Sequence, residues 1–243
     1  MGSIPAVSIL ALGFLLGLKH SIEADHLAAV STIASERRSL LSSSLVGALW
    51  GLGHTISLMV AGILVILLHF QISERTSQAL EFCVGIMLVA LGVNALRKLA
   101  RGGHVHIHVH EHGGHLHAHP HLHAGSRDGA PADGPHTHHG LRLGVRPLFV
   151  GIVHGMAGSA ALMLVVLTTV PSSLVGLLYI VVFGVGSIGG MMVMSTLFAL
   201  PARLTATRFT RANVALRGLA GLFSLSFGLF MIYQIGFVDR LLR

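Results

Sequence analysis

Six apolar stretches, at about residues 4–34, 42–70, 78–99, 146–170, 174–200 and 212–236, constrain this chain more than any other feature. Each is long enough to cross roughly 30 Å of hydrocarbon as a helix, and the longer ones leave room for a tilt or a break. Continuous runs, rather than alternating segments of about ten residues, point to a helical bundle and not to a β-barrel. Only 10% of the 243 residues are charged, against about 25% in a soluble domain. The predicted fold class is therefore an all-α integral membrane protein with six transmembrane helices and membrane lipid as its surroundings. A net charge of +7 would suit nucleic acid, but the basic residues fall in the gaps between apolar runs, where membrane topology accounts for them and nucleic acid is excluded as a partner.

With six crossings, alternate connections share a side. One side then holds twelve basic residues: Arg37, Arg38, Arg97, Lys98, Arg101, Arg127, Arg142, Arg146, Arg203, Arg208, Arg211 and Arg217. The other holds three, Arg75, Arg240 and Arg243, and Lys19 is left within the membrane. The imbalance predicts a multi-pass protein of the cell (inner) membrane with the first side cytoplasmic and both termini outside. The N-terminus lacks the basic flank and cleavage pattern of a signal peptide, so the first apolar run is expected to be retained. Cys83, the single cysteine, is expected to be a packed thiol.

Glycine-containing patterns recur along the chain. Gly17-Leu18-Lys19-His20 matches Gly151-Ile152-Val153-His154 at an offset of 134, and Gly51-Leu52-Gly53-His54 matches Gly184-Val185-Gly186-Ser187 at 133. Gly85 and Gly92 match Gly221 and Gly228 at 136. A repeat with three crossings per unit must insert its second copy upside down, which predicts two inverted three-helix repeats, residues 1–100 and 143–243, joined by the polar insert 101–142. Secondary transporters of this architecture place their site near the midplane, between the repeats.

The first apolar run contains Lys19-His20-Ser21-Ile22-Glu23-Ala24-Asp25-His26. Ionisable groups at membrane depth are costly and mark function. Imidazoles favour borderline divalent cations and carboxylates add compensating charge, so a transition-metal site is expected from His20, Glu23, Asp25 and His26. On an unbroken helix His20, Glu23 and His26 share a stripe while Asp25 faces elsewhere. If Asp25 joins the histidines, the helix must distort near Ala24; otherwise Asp25 lies behind the site or pairs with Lys19. His54, after Gly51 and Gly53, and His154, the repeat mate of His20, complete the candidate metal set, with core packing as the alternative for each. Asp25 and His26 correspond to the uncharged Ser159 and Ala160, so the site should be asymmetric.

The insert holds 13 of the 18 histidines. His104, His106, His108, His110 and His112 alternate in step, His115, His117, His119, His121 and His123 repeat the pattern, and His136, His138 and His139 follow. Dilution by Gly, Pro and Ala provides no apolar core, so the expectation is a disordered segment that binds several ions loosely and collects or buffers cytoplasmic metal; a solvated linker is the alternative.

His20, Asp25 and His26 reproduce the His-x4-Asp-His signature of the nickel/cobalt transporter family, and Gly53-His54-Thr55 resembles its Gly-His-Ser/Thr motif. The resemblance implies a metal-recognition role for the first motif, with Ni²⁺ or Co²⁺ as transported cargo rather than as a cofactor. Longer members have eight crossings and further acidic motifs in the later half, which this chain lacks; its compact form, with His154-Gly155 opening the second repeat, resembles the urease-accessory nickel permease branch. The chain is thus expected to be a permease taking up Ni²⁺, with no enzymatic activity and a cytoplasmic metallochaperone as candidate partner. Efflux through the same site, with the insert collecting metal, is an alternative, and so is a membrane sensor that binds metal without moving it. A metal-dependent intramembrane enzyme is disfavoured, since no His-Glu-x-x-His motif is present, and neither is a Walker-type phosphate loop.

Overall fold

In a computed structural model the protein is described over residues 6–35, 39–69, 72–101, 106–112, 115–121, 145–157, 172–206 and 209–242. Its helices are α1 (Ala6–His20), α2 (Ala24–Ser35), α3 (Leu40–Ile66), α4 (Glu74–Ala100), α5 (Arg146–Ala157), α6 (Ser173–Ala206) and α7 (Thr210–Tyr233), the last continuing into a π-helical turn, Gln234–Val238. Local chemistry sets several starts. Ser39 and Ser73 cap α3 and α4 by accepting from the backbone N–H groups of Ser42 and Thr76. Pro147 occupies the first turn of α5, where its missing N–H costs nothing.

The outward faces are apolar. Leu12, Leu15, Leu52, Val60, Val193 and Leu229 are all more than 40% exposed, an arrangement that a water-soluble bundle avoids and a lipid-facing one requires. α3, α4, α6 and α7 are each long and apolar enough to cross a membrane, and α1 with α2, bent by 57° at their junction, makes a fifth candidate. The fourth apolar stretch is represented by α5, and its remainder, 158–171, including Ser159 and Ala160, lies outside the described residues. The described residues therefore hold up to five spans, and the chain is an all-helical, multi-pass membrane protein outside the insert.

Within the insert, β1 (His106–His112) and β2 (His115–His121) form an antiparallel hairpin, with His106 opposite His121 and His112 opposite His115. The period-two alternation of histidine with Ile, Val, Leu and Ala suits strand pairing. His104, His123, His136, His138 and His139 lie outside the described residues.

Glycines join the helices at backbone distance. A Cβ at Gly17 of α1 would collide with the Phe183 carbonyl of α6, and one at Gly186 with the Phe14 carbonyl of α1. Between α3 and α5, Gly53 abuts the Leu148 carbonyl and Gly151 the Trp50 carbonyl. Between α4 and α7, Gly92 meets Gly221 and Gly228 meets Gly85, and the Ser224 hydroxyl donates to the Leu88 carbonyl at 2.9 Å. Lipid supplies no hydrophobic drive between helices, so such close packing is what holds them. Cys83 departs from expectation: it is exposed, because α4 buries the stripe of Val84, Gly85, Leu88, Leu91 and Gly92 and turns Cys83 outward.

Gly151→Ala should destabilise the protein by about 1–3 kcal/mol through overpacking, whereas Gly189→Ala, whose Cβ would meet nothing within 4 Å, should leave the midpoint unchanged or raised. Thermal unfolding of the two variants in detergent checks both.

Candidate metal centre

The first apolar run cannot stay a single helix once its polar residues are placed. α1 ends at His20 and α2 begins at Ala24, so the interruption falls where alignment of Asp25 with the histidines demands it. The exposed backbone groups of the break are satisfied locally: Ile22 N–H donates to the Lys19 carbonyl at 3.0 Å and Glu23 N–H to the His20 carbonyl at 3.1 Å. Ser21 is buried, donates its hydroxyl to the Leu18 carbonyl at 2.7 Å and packs on Gly190. Apolar surroundings tolerate an irregular backbone only with such internal partners.

Four imidazoles then meet from four elements: His20 at the end of α1, His26 on α2, His54 on α3 and His154 on α5. His26, His54 and His154 are 2% exposed or less. Ring centroids lie 4.0 Å apart for His26 and His154, 4.4 Å for His20 and His26, 5.0 Å for His20 and His54, and 5.4 Å for His26 and His54. Gly155 makes room for the His54 ring, since a Cβ there would lie 2.8 Å from Nδ1.

Asp25 ties two of these rings together. His154 Nε2 donates to its Oδ2 at 2.9 Å and His26 Nδ1 to its Oδ1 at 3.1 Å, and the His26 backbone N–H reaches Oδ1 at 2.8 Å. Lys19 is exposed, and the partners of Asp25 come from α2 and α5 instead. Glu23, half exposed, pairs with His20, Nδ1 to Oε2 2.8 Å. His69 is exposed beyond the end of α3, and Met156 is 42% exposed. Among the described residues, His26 Nε2, both nitrogens of His54 and His154 Nδ1 are buried without a hydrogen-bond partner. Buried polar atoms are almost always paired, so four orphaned imidazole nitrogens in one place mark a site shaped for something that accepts their lone pairs.

Two walls of the site carried no signal of their own. Trp50 stacks on His26 at 5.4 Å with a 17° interplanar angle, and Phe183 lies 5.5 Å from His20. Trp50 belongs to one buried apolar cluster and Phe183 to another, so the imidazoles lie between the two. The signal that could have found them is the repeat itself: the residues stand immediately before Gly51 and Gly184, at the offset of 133. Ser187, the repeat mate of His54, is buried and donates to the Gly17 carbonyl at 3.2 Å, an ordinary interhelical bond.

A lipid-facing helical bundle with a broken helix and a buried histidine–carboxylate cluster defines a multi-pass membrane protein with a group of donors that could hold a metal ion. The chain is 39% identical over 247 residues to the urease accessory protein UreH of Bacillus sp. (strain TB-90), covering 100% of this chain and 98% of that protein. It belongs to the UreH family of urease accessory proteins, a name that designates an accessory protein and agrees with the expectation of a non-enzyme. Two more distant relatives come from Arabidopsis thaliana: chloroplast protein FOR GROWTH AND FERTILITY 1, 26% identical, and chloroplast protein FOR GROWTH AND FERTILITY 2, 24% identical. Each match covers 74% of this chain but only 46% and 44% of those proteins. No family model and no solved structure matches the chain.

Because Trp50 is the single tryptophan and touches both His26 and His154, its fluorescence should report on the cluster. Titration with Ni²⁺ should quench it in the wild type and leave it unchanged in His26→Ala, as measured on protein in detergent or nanodiscs.

Proposed function

We propose that this chain is a six-span secondary permease that carries Ni²⁺ into the cytoplasm, the same donors being suited to Co²⁺. One observation carries the proposal: His26, His54 and His154 are buried with unpartnered nitrogens beside Asp25, at a helix break within a lipid-facing bundle. A purely structural cluster would have its nitrogens paired. The kinship with a urease accessory protein and the His-x4-Asp-His motif both favour nickel as the cargo.

In this proposal α5 and residues 158–171 make the sixth crossing, and the two halves are inverted repeats. The glycine contacts support that relation. Gly17 against Phe183 maps, at offsets of 134 and 133, onto Gly151 against Trp50, and Gly186 against Phe14 maps onto Gly53 against Leu148. Ser224 and Leu88, bonded to each other, are 136 residues apart, the offset of the third helix pair, so under the repeat this residue pair would map onto itself. Rocking of the halves would expose the site alternately to each side, with Gly51, Gly53, Gly184 and Gly186 at the moving contacts.

His20, Asp25, His26 and His54 form the core of the metal path, with Glu23 at its exposed end and His154 completing it. Inward movement needs no further coupling: at about 2.3 kcal/mol per charge per 100 mV, a divalent ion gains roughly 7 kcal/mol at about 150 mV. The histidine-rich insert on the cytoplasmic side binds the arriving ions loosely and passes them to a metallochaperone. Its position also favours a second reading, efflux fed by the insert, which vesicles of opposite orientation separate.

Radioactive nickel flux into proteoliposomes under an inside-negative potential tests the proposal. Wild type should accumulate nickel and His26→Ala should not, while replacing the insert histidines should lower efficiency without abolishing flux. Absence of wild-type flux, or normal transport by His26→Ala, would sink it.

A further inference from the structure

The donors of the centre do not converge on one point. Among the described residues they divide into two groups, His20 with His26 and His54, and Asp25 with His26 and His154, each with its donor atoms within 4.8 Å of one another. Two nitrogens on opposite sides of one ion at about 2.1 Å are about 4.2 Å apart, so small rotamer changes bring either group onto an ion. His26 belongs to both. Its Nδ1 faces Asp25, its Nε2 is buried without a partner, and the two nitrogens of an imidazole point in different directions in the ring plane.

We infer that the centre comprises two adjoining cation positions that share His26 and are occupied in turn: one of three imidazoles, His20, His26 and His54, and one of two imidazoles and a carboxylate, His26, His154 and Asp25. The inference rests on the permease function proposed above and specifies how its site is divided. In the first position His26 offers Nε2 while its Nδ1–H is held by Asp25, an outer partner that fixes the tautomer and raises the basicity of the ligating nitrogen. In the second position the ion replaces the two hydrogen bonds to Asp25. His26 then ligates through Nδ1 with its proton on Nε2, and His154 ligates through Nε2 with its proton on Nδ1, so each imidazole stays neutral. Exchange between the positions moves one proton on the His26 ring: the ion leaves Nε2, that nitrogen takes up a proton from water, and Nδ1 gives its proton to water as it turns its lone pair to the ion, so the ring ends neutral in either position.

Each position pairs two buried imidazoles with one partly exposed donor, His20 at 17% in the first and Asp25 at 25% in the second. The two positions differ in charge: the carboxylate of the second compensates the cation, and the first offers neutral imidazoles alone.

The test uses full-length protein in nanodiscs with the thirteen insert histidines replaced by asparagine, so that only the centre binds. Ni²⁺ uptake is counted by equilibrium dialysis and the ligand set is read by X-ray absorption. Wild-type and both single variants, His54→Ala and His154→Ala, should each retain one ion, the first variant with a carboxylate-containing shell and the second with an imidazole-rich one. His26→Ala should lose binding entirely. If either His54→Ala or His154→Ala abolishes binding, or both variants give one identical shell, the centre is a single indivisible site and the inference fails. Should an alanine variant not fold, His54→Asn and His154→Asn ask the same question. Intact binding at both positions without nickel flux would sink the permease function alone, and flux through an indivisible site would sink the divided centre alone.

Discussion

Four imidazoles can lie with neighbouring ring centroids 4.0–6.3 Å apart only when the helices that carry them come to backbone contact, and glycine is the residue that allows it. The carbonyls of Phe14, Trp50, Leu148 and Phe183 each rest on a glycine of the neighbouring helix. A single methyl group at any of those glycines would push the helix axes apart and draw the histidines out of register with one another. The centre thus depends on positions that carry no donor atom. Its precision comes from close packing, the main cohesive force available to helices in lipid, and not from the ionic attraction of its members.

Much of the centre was legible because a membrane segment makes polar residues conspicuous. His20, Glu23, Asp25 and His26 stand out in an apolar run, and helical geometry alone showed that Asp25 could join the histidines only across a break, which falls at residues 21–23. His54 and His154 were visible through the glycines before them and the repeat offset. The partner of Asp25 was not: Lys19 is near in sequence and His154 is 129 residues away, and only the packing of α5 against α3 brings it close. The division of the donors into two groups was also hidden, since it depends on which edge of the His26 ring each neighbour approaches. Cys83 shows a further limit. In a soluble protein an apolar stretch predicts burial, but in lipid the outward and inward faces are both apolar, and hydropathy cannot tell them apart.

Under the inverted repeat proposed above, the scaffold and the site would differ in symmetry. The glycine contacts, the aromatic pair Trp50 and Phe183 and the histidine pair His20 and His154 all follow the offsets of the repeat, whereas Asp25 and His26 have only Ser159 and Ala160 as counterparts. The hairpin of the insert lies outside this relation, between the halves, and its strand pairing rests on local alternation alone.

The interruption at Ser21–Glu23 also leaves two helix ends beside the imidazole cluster, and these ends carry charge. Aligned peptide dipoles leave about half a negative charge at the C-terminus of a helix and about half a positive charge at the N-terminus. His20 closes α1 and Asp25 stands in the first turn of α2, so the negative end of one helix lies at the imidazoles and the positive end of the next steadies the carboxylate. Both fields come from the main chain. They persist through any side-chain rearrangement and add no net charge that the lipid would have to tolerate when the protein is empty.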